Sequence, residues 1–522
     1  MDTNNIPYNP QPQYPQQPPM PGMMPPMPPR GQWQQRAMNA IGRVRNVSFP
    51  KWLTQYGVVV YILALAVVSV MYSSNSLPWY YMLSGVVSVM AFFLYGSTVV
   101  GQTSIIKMRR EKSFEKRIFT IAFVPRIIWM VLIYTIFMQY YGNAFGFDNG
   151  DATFYDELGQ DFSKALRESN FFSTWRAINT KTDVSDMGYG AYVGLIYWVT
   201  GNSIIAVRLL KCLWSSITVL LVYRIAKRNF EEQTARIAAI FCALWPNFWY
   251  YCGVHLKETE MVFLSVLFVE QADQMIRSRQ FTMWKVVPVL LIGAMQFGFR
   301  TPLAVVEFLA LLFTIVMSSE RVVSWGKRII VGGLAVLLVG LTMGNRIQEE
   351  SRSLFEQAKS NQQQQNMEWR STRKHGNSFA KYAGASVFAP MIFTIPFPSM
   401  VQIEGLSEMP MLLNGGNFGK NIISFFVLVA LVTLLMTGKW RDHMLPLAFM
   451  LGYVLVLTMS SFAQSERFHQ PAMPFEFMFA AYGISIALTK PKYKRWFTYW
   501  CGLMFVACIA WNWFKMAGRG LS

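Results

Sequence analysis

The chain is short of charge. Only 14% of its 522 residues are Asp, Glu, Lys or Arg, against 53% hydrophobic residues and a mean hydropathy of +0.27. A soluble globular chain carries roughly 25% charged residues, so a water-soluble enzyme of several exposed domains is excluded. Cysteine is scarce too. Cys212, Cys242, Cys252, Cys501 and Cys508 all lie in or beside apolar segments, and none forms a CxxC pair. A disulfide framework or a thiolate zinc site has no basis in such a set. Acid is scarcer than base, 28 against 47, which leaves a formal net charge of +19. In a soluble protein that excess would point to nucleic acid. Here the bases fall in short clusters between apolar runs, the pattern of membrane topology, and no nucleic-acid partner is expected.

Residues 1–30 hold eleven of the 25 prolines, with almost no charge and no hydrophobic period. Such a stretch cannot bury enough apolar surface to offset its ordering entropy, so residues 1–50 are expected to form a disordered, Pro-rich cytoplasmic tail. It does not read as a signal peptide, because bases such as Arg30 and Arg36 come late and no apolar run follows until about residue 53.

A spanning helix needs about 20 mostly apolar residues. Runs of that kind occupy 53–72, 79–99, 118–140, 203–226, 234–252, 259–276, 283–299, 302–318, 329–344, 421–437, 445–461, 471–488 and 496–514. They predict an all-α polytopic membrane protein of about thirteen transmembrane helices. The 386–400 segment is apolar but interrupted by Pro390, Pro396 and Pro398, and reads as a re-entrant or interfacial piece. With a cytoplasmic N-terminus, the basic clusters at 107–117, 227–228, 277–279, 321–328, 439–441 and 490–495 all fall on one side. The loops 141–187, 345–385 and 461–470 then face the other side, where function is expected to concentrate.

The first of these loops is acidic, with eight acids against four bases between 142 and 187. Asp151 and Tyr155 are four apart and share a face if the segment is helical. An acid beside the membrane can serve as a general base toward a hydroxyl or amine. With Asp148 it could also hold a divalent cation. The plainer reading is a solvated loop that helps topology.

Downstream motifs add to this. The stretch Gly190–Ser203 leads into Arg208-Leu209-Leu210. Trp245-Pro246-Asn247 precedes His255-Leu256-Lys257-Glu258-Thr259-Glu260. Gly298-Phe299-Arg300-Thr301-Pro302 opens another apolar run, and Ser465-Glu466-Arg467-Phe468-His469-Gln470-Pro471 lies near the C-terminus. Together with Asp151, Tyr155 and Gly201, these pieces resemble, in order, the polyprenyl-phosphate-dependent membrane glycosyltransferases of the GT-C class. That class includes the dolichyl-phosphate-mannose-protein mannosyltransferase family and the aminoarabinose transferases of lipid A. The likeness covers about 118–490. The usual Tyr-Pro-Pro segment is replaced by Asp186-Met187-Gly188-Tyr189-Gly190, and two spans precede the one that normally opens the fold.

The resemblance implies a GT-C-like bundle with a large external catalytic loop containing juxtamembrane helices. It implies inverting transfer of a hexosyl or pentosyl group from a polyprenyl-phosphate donor to a lipid, glycan or protein acceptor on the non-cytoplasmic face. Asp151 is then the expected base, with Glu258 or Glu260 as second acid. Arg300 and Arg467, with Lys257 and His469 behind them, are the expected cations at the departing phosphate. Tyr155, Asp148 and Arg208 would support them. No cofactor is required, a divalent cation at Asp148 and Asp151 aside. The bland readings place Arg208 snorkelling at the membrane boundary, Glu258 and Glu260 at a helix start favoured by the dipole, and Arg300 at a span end. Glu270 and Asp273 read as structural, and Glu307 as unexplained.

The chain is accordingly divided into the tail, two extra helices over 51–117, a catalytic core over 118–344, a Gln-rich external loop with the re-entrant segment over 345–400, and C-terminal helices over 401–522. A bacterial inner membrane is the expected home, with the site on the periplasmic side. The competing functions are a transporter, flippase or polymerase of lipid-linked glycans, and a non-catalytic assembly subunit. No internal repeat of the kind common in transporters is evident.

Overall fold

A computed structural model describes residues 49–105, 107–108, 110–146, 149–168, 184–278, 282–320, 322–323, 326, 333, 352, 368, 371–372, 376–380, 389–404, 408–460 and 463–521. The tail, Asp148, most of the 329–344 run and nearly all of the Gln-rich loop lie outside the described residues. Among the described residues the protein is all-α, apart from one isolated antiparallel bridge between Ser76 and Val401.

The helices are α1 (Lys51–Met71), α2 (Trp79–Gln102), α3 (Glu111–Tyr141), α4 (Asn149–Arg167), α5 (Val184–Thr200), α6 (Ile204–Asn229), α7 (Glu232–Leu244) and α8 (Pro246–Gly253). After these come α9 (Glu258–Arg277), α10 (Val286–Phe299), α11 (Thr301–Met317), α12 (Asn414–Thr437), α13 (Met444–Met459), α14 (Met473–Ala487) and α15 (Lys492–Ala517). Seven helices among the described residues are long and apolar enough to cross a membrane, counting α13 with the turn before it. The protein is therefore a polytopic membrane protein.

Eleven of the thirteen apolar runs form one helix each, and 329–344 lies outside the described residues apart from Gly333. The 234–252 run differs from expectation: it breaks at Trp245-Pro246 into α7 and α8. Proline has no N–H to give and its ring clashes with the preceding turn, so carbonyls at the end of α7 lose their helical donors. Arg126, fully buried in α3, supplies donors there, and Trp249 Nε1 adds one to the Ala243 carbonyl oxygen at 2.7 Å. The Arg126 guanidinium donates to the carbonyl oxygens of Ala243 at 3.0 Å and Cys242 at 3.1 Å, and to Ser215 Oγ at 2.9 Å. A buried arginine thus makes a proline break tolerable in an apolar interior.

The segment 389–404 behaves as a packed irregular piece, not a span. It makes one helical turn at Ala389–Met391, turns again over 392–394 and then runs without regular structure, with Ile395, Phe397 and Met400 buried. Its backbone is tied by asparagine side chains. Ser399 N–H donates to Asn414 Oδ1 at 2.7 Å, and Met400 N–H to Asn512 Oδ1 at 2.7 Å. Buried non-helical backbone needs protein groups to satisfy its N–H and C=O groups in this way.

Two helices belong to the acidic loop. In α4, Ala152, Tyr155, Leu158, Phe162 and Ala165 recur at helical spacing and are buried. Leu158 and Phe162 pack with Met187 and Ala191 of α5. The crossing is glycine-tight, since a side chain at Gly194 would meet Phe162 Cβ at 2.4 Å and the Gly159 carbonyl oxygen at 3.0 Å. Gly188 in turn lies against α10, where a Cβ would stand 2.6 Å from the Gly298 carbonyl carbon. These contacts seat the start of α5 against the end of α10, two residues before Arg300.

Candidate active site

The site is assembled at the start of α4, the start of α5, the start of α9, the α10–α11 junction and the helical turn Glu466–His469. Asp151 stands in the first turn of α4, its side chain 55% exposed. Glu258 opens α9, its side chain only 2% exposed. Arg467 connects them. Its Nη1 donates to Asp151 Oδ2 at 2.5 Å and its Nε to Glu258 Oε1. Burial pulls the Arg467 guanidinium down, but the Glu258 charge and hydrogen bond carry it above its ordinary value, so it stays a cation. The other Glu258 oxygen is buried without a hydrogen-bond partner. It borders a small cavity lined by Ser215, Thr218, Tyr251 and Gln470.

A second acid–base pair lies alongside. Lys257 donates to Asp186 Oδ1, to the Ser185 carbonyl oxygen at 3.0 Å and to the Phe299 carbonyl oxygen at 2.8 Å. Tyr155 donates to the same Asp186 oxygen at 2.9 Å, and Lys257 Nζ sits 5.7 Å from the Tyr155 ring centroid. Burial lowers the Lys257 ammonium, and the Asp186 charge pulls it part of the way back up. Burial, then the Asp186 and Glu258 charges, hold the Tyr155 phenol far above its usual range, so it is a hydrogen-bond donor and not a base. Arg300, at the α10–α11 junction, lies over the Phe468 ring at 4.5 Å. Phe468 is held in turn by Tyr453, whose hydroxyl donates to its carbonyl at 2.9 Å.

The structure therefore gathers Asp151, Tyr155, Lys257, Glu258, Arg300 and Arg467. Three other sequence candidates are engaged elsewhere. Glu260, two residues into α9, pairs with Lys211 at 3.1 Å, and both are buried. Arg208 does not snorkel: it is fully buried and donates to the Ala144 carbonyl, with Tyr134 at 5.4 Å. His469 turns inward to Lys420. The fourth, Asp148, lies outside the described residues. No group of three or more His, Cys, Asp or Glu side chains is placed to hold a metal among the described residues.

Sequence reasoning missed one member. Asp186 bridges Tyr155 and Lys257, joining α4 to the start of α9. The signal was present in the departure from the family pattern at 186–190, where an acid stands beside Gly188. Far from this cluster, Glu270 and Asp273 form a network with Arg228 and Arg277, at distances of 3.0 Å (Arg228 to Glu270), 2.7 Å (Arg228 to Asp273) and 2.8 Å (Arg277 to Asp273). Twelve residues of helix separate Glu258 from Glu270, about 18 Å, so the network braces the other end of α9.

Residues 188–343 match the family model for dolichyl-phosphate-mannose-protein mannosyltransferases. The matched stretch includes Arg208, Lys257, Glu258, Glu260 and Arg300, and the resemblance seen in the motifs stands on it. No curated protein and no solved structure matches the chain.

Proposed function

We propose that this chain is a membrane glycosyltransferase that moves a sugar from a polyprenyl-phosphate donor to a hydroxyl or amine of a lipid, glycan or protein acceptor on the non-cytoplasmic face. The observation that carries the proposal is the joining of Asp151 and Glu258 by Arg467, from three elements distant in sequence. The mannosyltransferase-family match over 188–343 supports the reaction class.

In this reading the acceptor enters beside Asp151, the exposed carboxylate. Asp151 accepts the acceptor proton as the acceptor oxygen or nitrogen attacks the anomeric carbon. The bond from that carbon to the phosphate oxygen breaks, and its electron pair leaves with the phosphate. Attack opposite the leaving group inverts the anomeric centre. Arg467, Arg300 and Lys257 supply fixed positive charge to the phosphate as it takes on the leaving electrons. Glu258 holds Arg467 from below, and Asp186 with Tyr155 holds Lys257. The prenyl chain lies against the apolar helices, with the core over 118–344 as the main catalytic part and Arg467 added from the 401–522 part. The basic clusters support a cytoplasmic N-terminus and an external site.

The test is a transfer assay with the purified chain in proteoliposomes and labelled polyprenyl-phosphate mannose as donor. Transfer of label with release of polyprenyl phosphate supports the proposal. Movement of intact donor across the bilayer with its sugar–phosphate bond uncut would instead make the chain a transporter.

A further inference from the structure

Lys420 lies in α12, buried, and its ammonium joins separate parts of the chain. It donates to the carbonyl oxygens of Ile395 at 2.9 Å and Ile392 at 3.5 Å, and its Nζ is 2.7 Å from Nδ1 of His469. Glu476 of α14 lies 3.9 Å away; it is fully buried and neither of its oxygens has a hydrogen-bond partner. One side chain thus ties the 389–404 segment, the turn at 466–469 and two helices together.

The hydrogen-bond inventory fixes the state of the histidine. An ammonium has donors and no acceptor, so His469 Nδ1 must accept. Its ring proton is then on Nε2, which donates to the Ala463 carbonyl oxygen at 2.8 Å. Burial, and then the Lys420 charge, keep His469 well below its ordinary range, so the ring is neutral. A neutral, inward-facing ring cannot serve a phosphate as a cation. It is a strut with one acceptor and one donor, both used.

That strut is two residues from Arg467 on the same helical turn, and Phe468, between them, carries the Arg300 guanidinium on its ring. An ionisable group at membrane depth is costly and usually purposeful, and apolar side chains of similar volume would often serve the fold as well or better.

We propose that Lys420 is a positioning residue for the cations of the site: through neutral His469 it clamps the 463–472 turn against the 389–404 segment and sets where Arg467 and Arg300 stand. The consequence for transfer rests on the glycosyltransferase reading above; the clamp itself rests on geometry alone.

The experiment compares Lys420→Met, His469→Phe and His469→Gln in the full chain in lipid nanodiscs. Hydrogen exchange of the 463–472 amides and transfer from polyprenyl-phosphate mannose are measured together. Glutamine can accept from Lys420 through its carbonyl oxygen and donate to Ala463 through its amide, so His469→Gln keeps both bonds. His469→Phe keeps neither. Lys420→Met and His469→Phe are expected to raise exchange of the turn about tenfold and to lower kcat/KM about 10²-fold through misplaced cations, mainly through KM. His469→Gln stays close to the parent in both. A His469→Gln variant as impaired as His469→Phe with exchange unchanged would overturn the clamp, because His469 would then act chemically. Parental exchange in His469→Phe would overturn it too. If Lys420→Met does not fold, the Gln and Phe pair decides. If the parent shows no transfer, the proposed function fails while the exchange readout still judges the clamp.

Discussion

Arg467 Nη1 lies 2.5 Å from a carboxylate oxygen of Asp151, although 316 residues separate them. The same guanidinium holds Glu258 through Nε. One cation therefore stands between a wet carboxylate, 55% exposed, and a dry one, 2% exposed. The two acids cannot play equivalent roles in such a setting. The exposed one can meet an acceptor and exchange a proton with water, and the buried one orients the cation.

That division makes Arg467→Lys a sharp test. An ammonium is a point charge and cannot present Nε and Nη1 to two carboxylates in fixed geometry. Losing one charged hydrogen bond is worth about 1.5–3 kcal/mol. Donor affinity, read from KM for polyprenyl-phosphate mannose, is expected to weaken about 10–10²-fold while the protein remains folded. A lysine variant with parental KM would remove Arg467 from the phosphate site.

Asp186 can be tested through pH. Burial lowers the Lys257 ammonium and Asp186 opposes that. Asp186→Asn removes the opposition, so Lys257 loses its proton at a lower pH than in the parent. If its charge serves the donor phosphate, the alkaline limb of the kcat/KM profile moves to lower pH, while Asp186→Glu keeps the parental limb. An unmoved limb in Asp186→Asn would mean that Lys257 only braces the fold.

Much of this was legible in one dimension. Apolar run length located most helices, because lipid leaves few alternatives for backbone polar groups. The spacing of Asp151 and Tyr155 placed them on one turn, and α4 is helical there. Long-range pairing was not legible. Nothing local shows that Asp186 meets Lys257, 71 residues on, or that Lys420, just ahead of the 421–437 apolar run, meets His469. The Pro246 break was masked by the hydrophobicity on both sides of it, and its compensation by Arg126 comes from a helix more than a hundred residues away.

Arg126→Leu should expose that compensation. The buried Cys242 carbonyl would lose its side-chain donor, at a cost of about 1–3 kcal/mol, while the Ala243 carbonyl would keep Trp249 Nε1 at 2.7 Å. Thermal unfolding in detergent is expected to shift clearly downward. An unchanged melting profile would show that the Cys242 carbonyl does not depend on Arg126.

Glu270→Gln is the control for intramembrane acids. It weakens the pairing with Arg228 at the far end of α9 and leaves the site untouched. Stability is expected to fall while the transfer rate per folded molecule stays parental. A specific loss of transfer would mean that this end of α9 takes part in the reaction.

The most direct measurement is the rate of polyprenyl-phosphate release from polyprenyl-phosphate mannose by parent and Asp151→Asn, with folding checked on the same samples. The substitution keeps size and removes the charge and most of the basicity. Because the side chain is largely exposed, the melting profile should hold. The account predicts a rate about 10²–10⁴-fold lower in Asp151→Asn, with donor binding little changed. A folded Asp151→Asn that releases phosphate at the parental rate would contradict it.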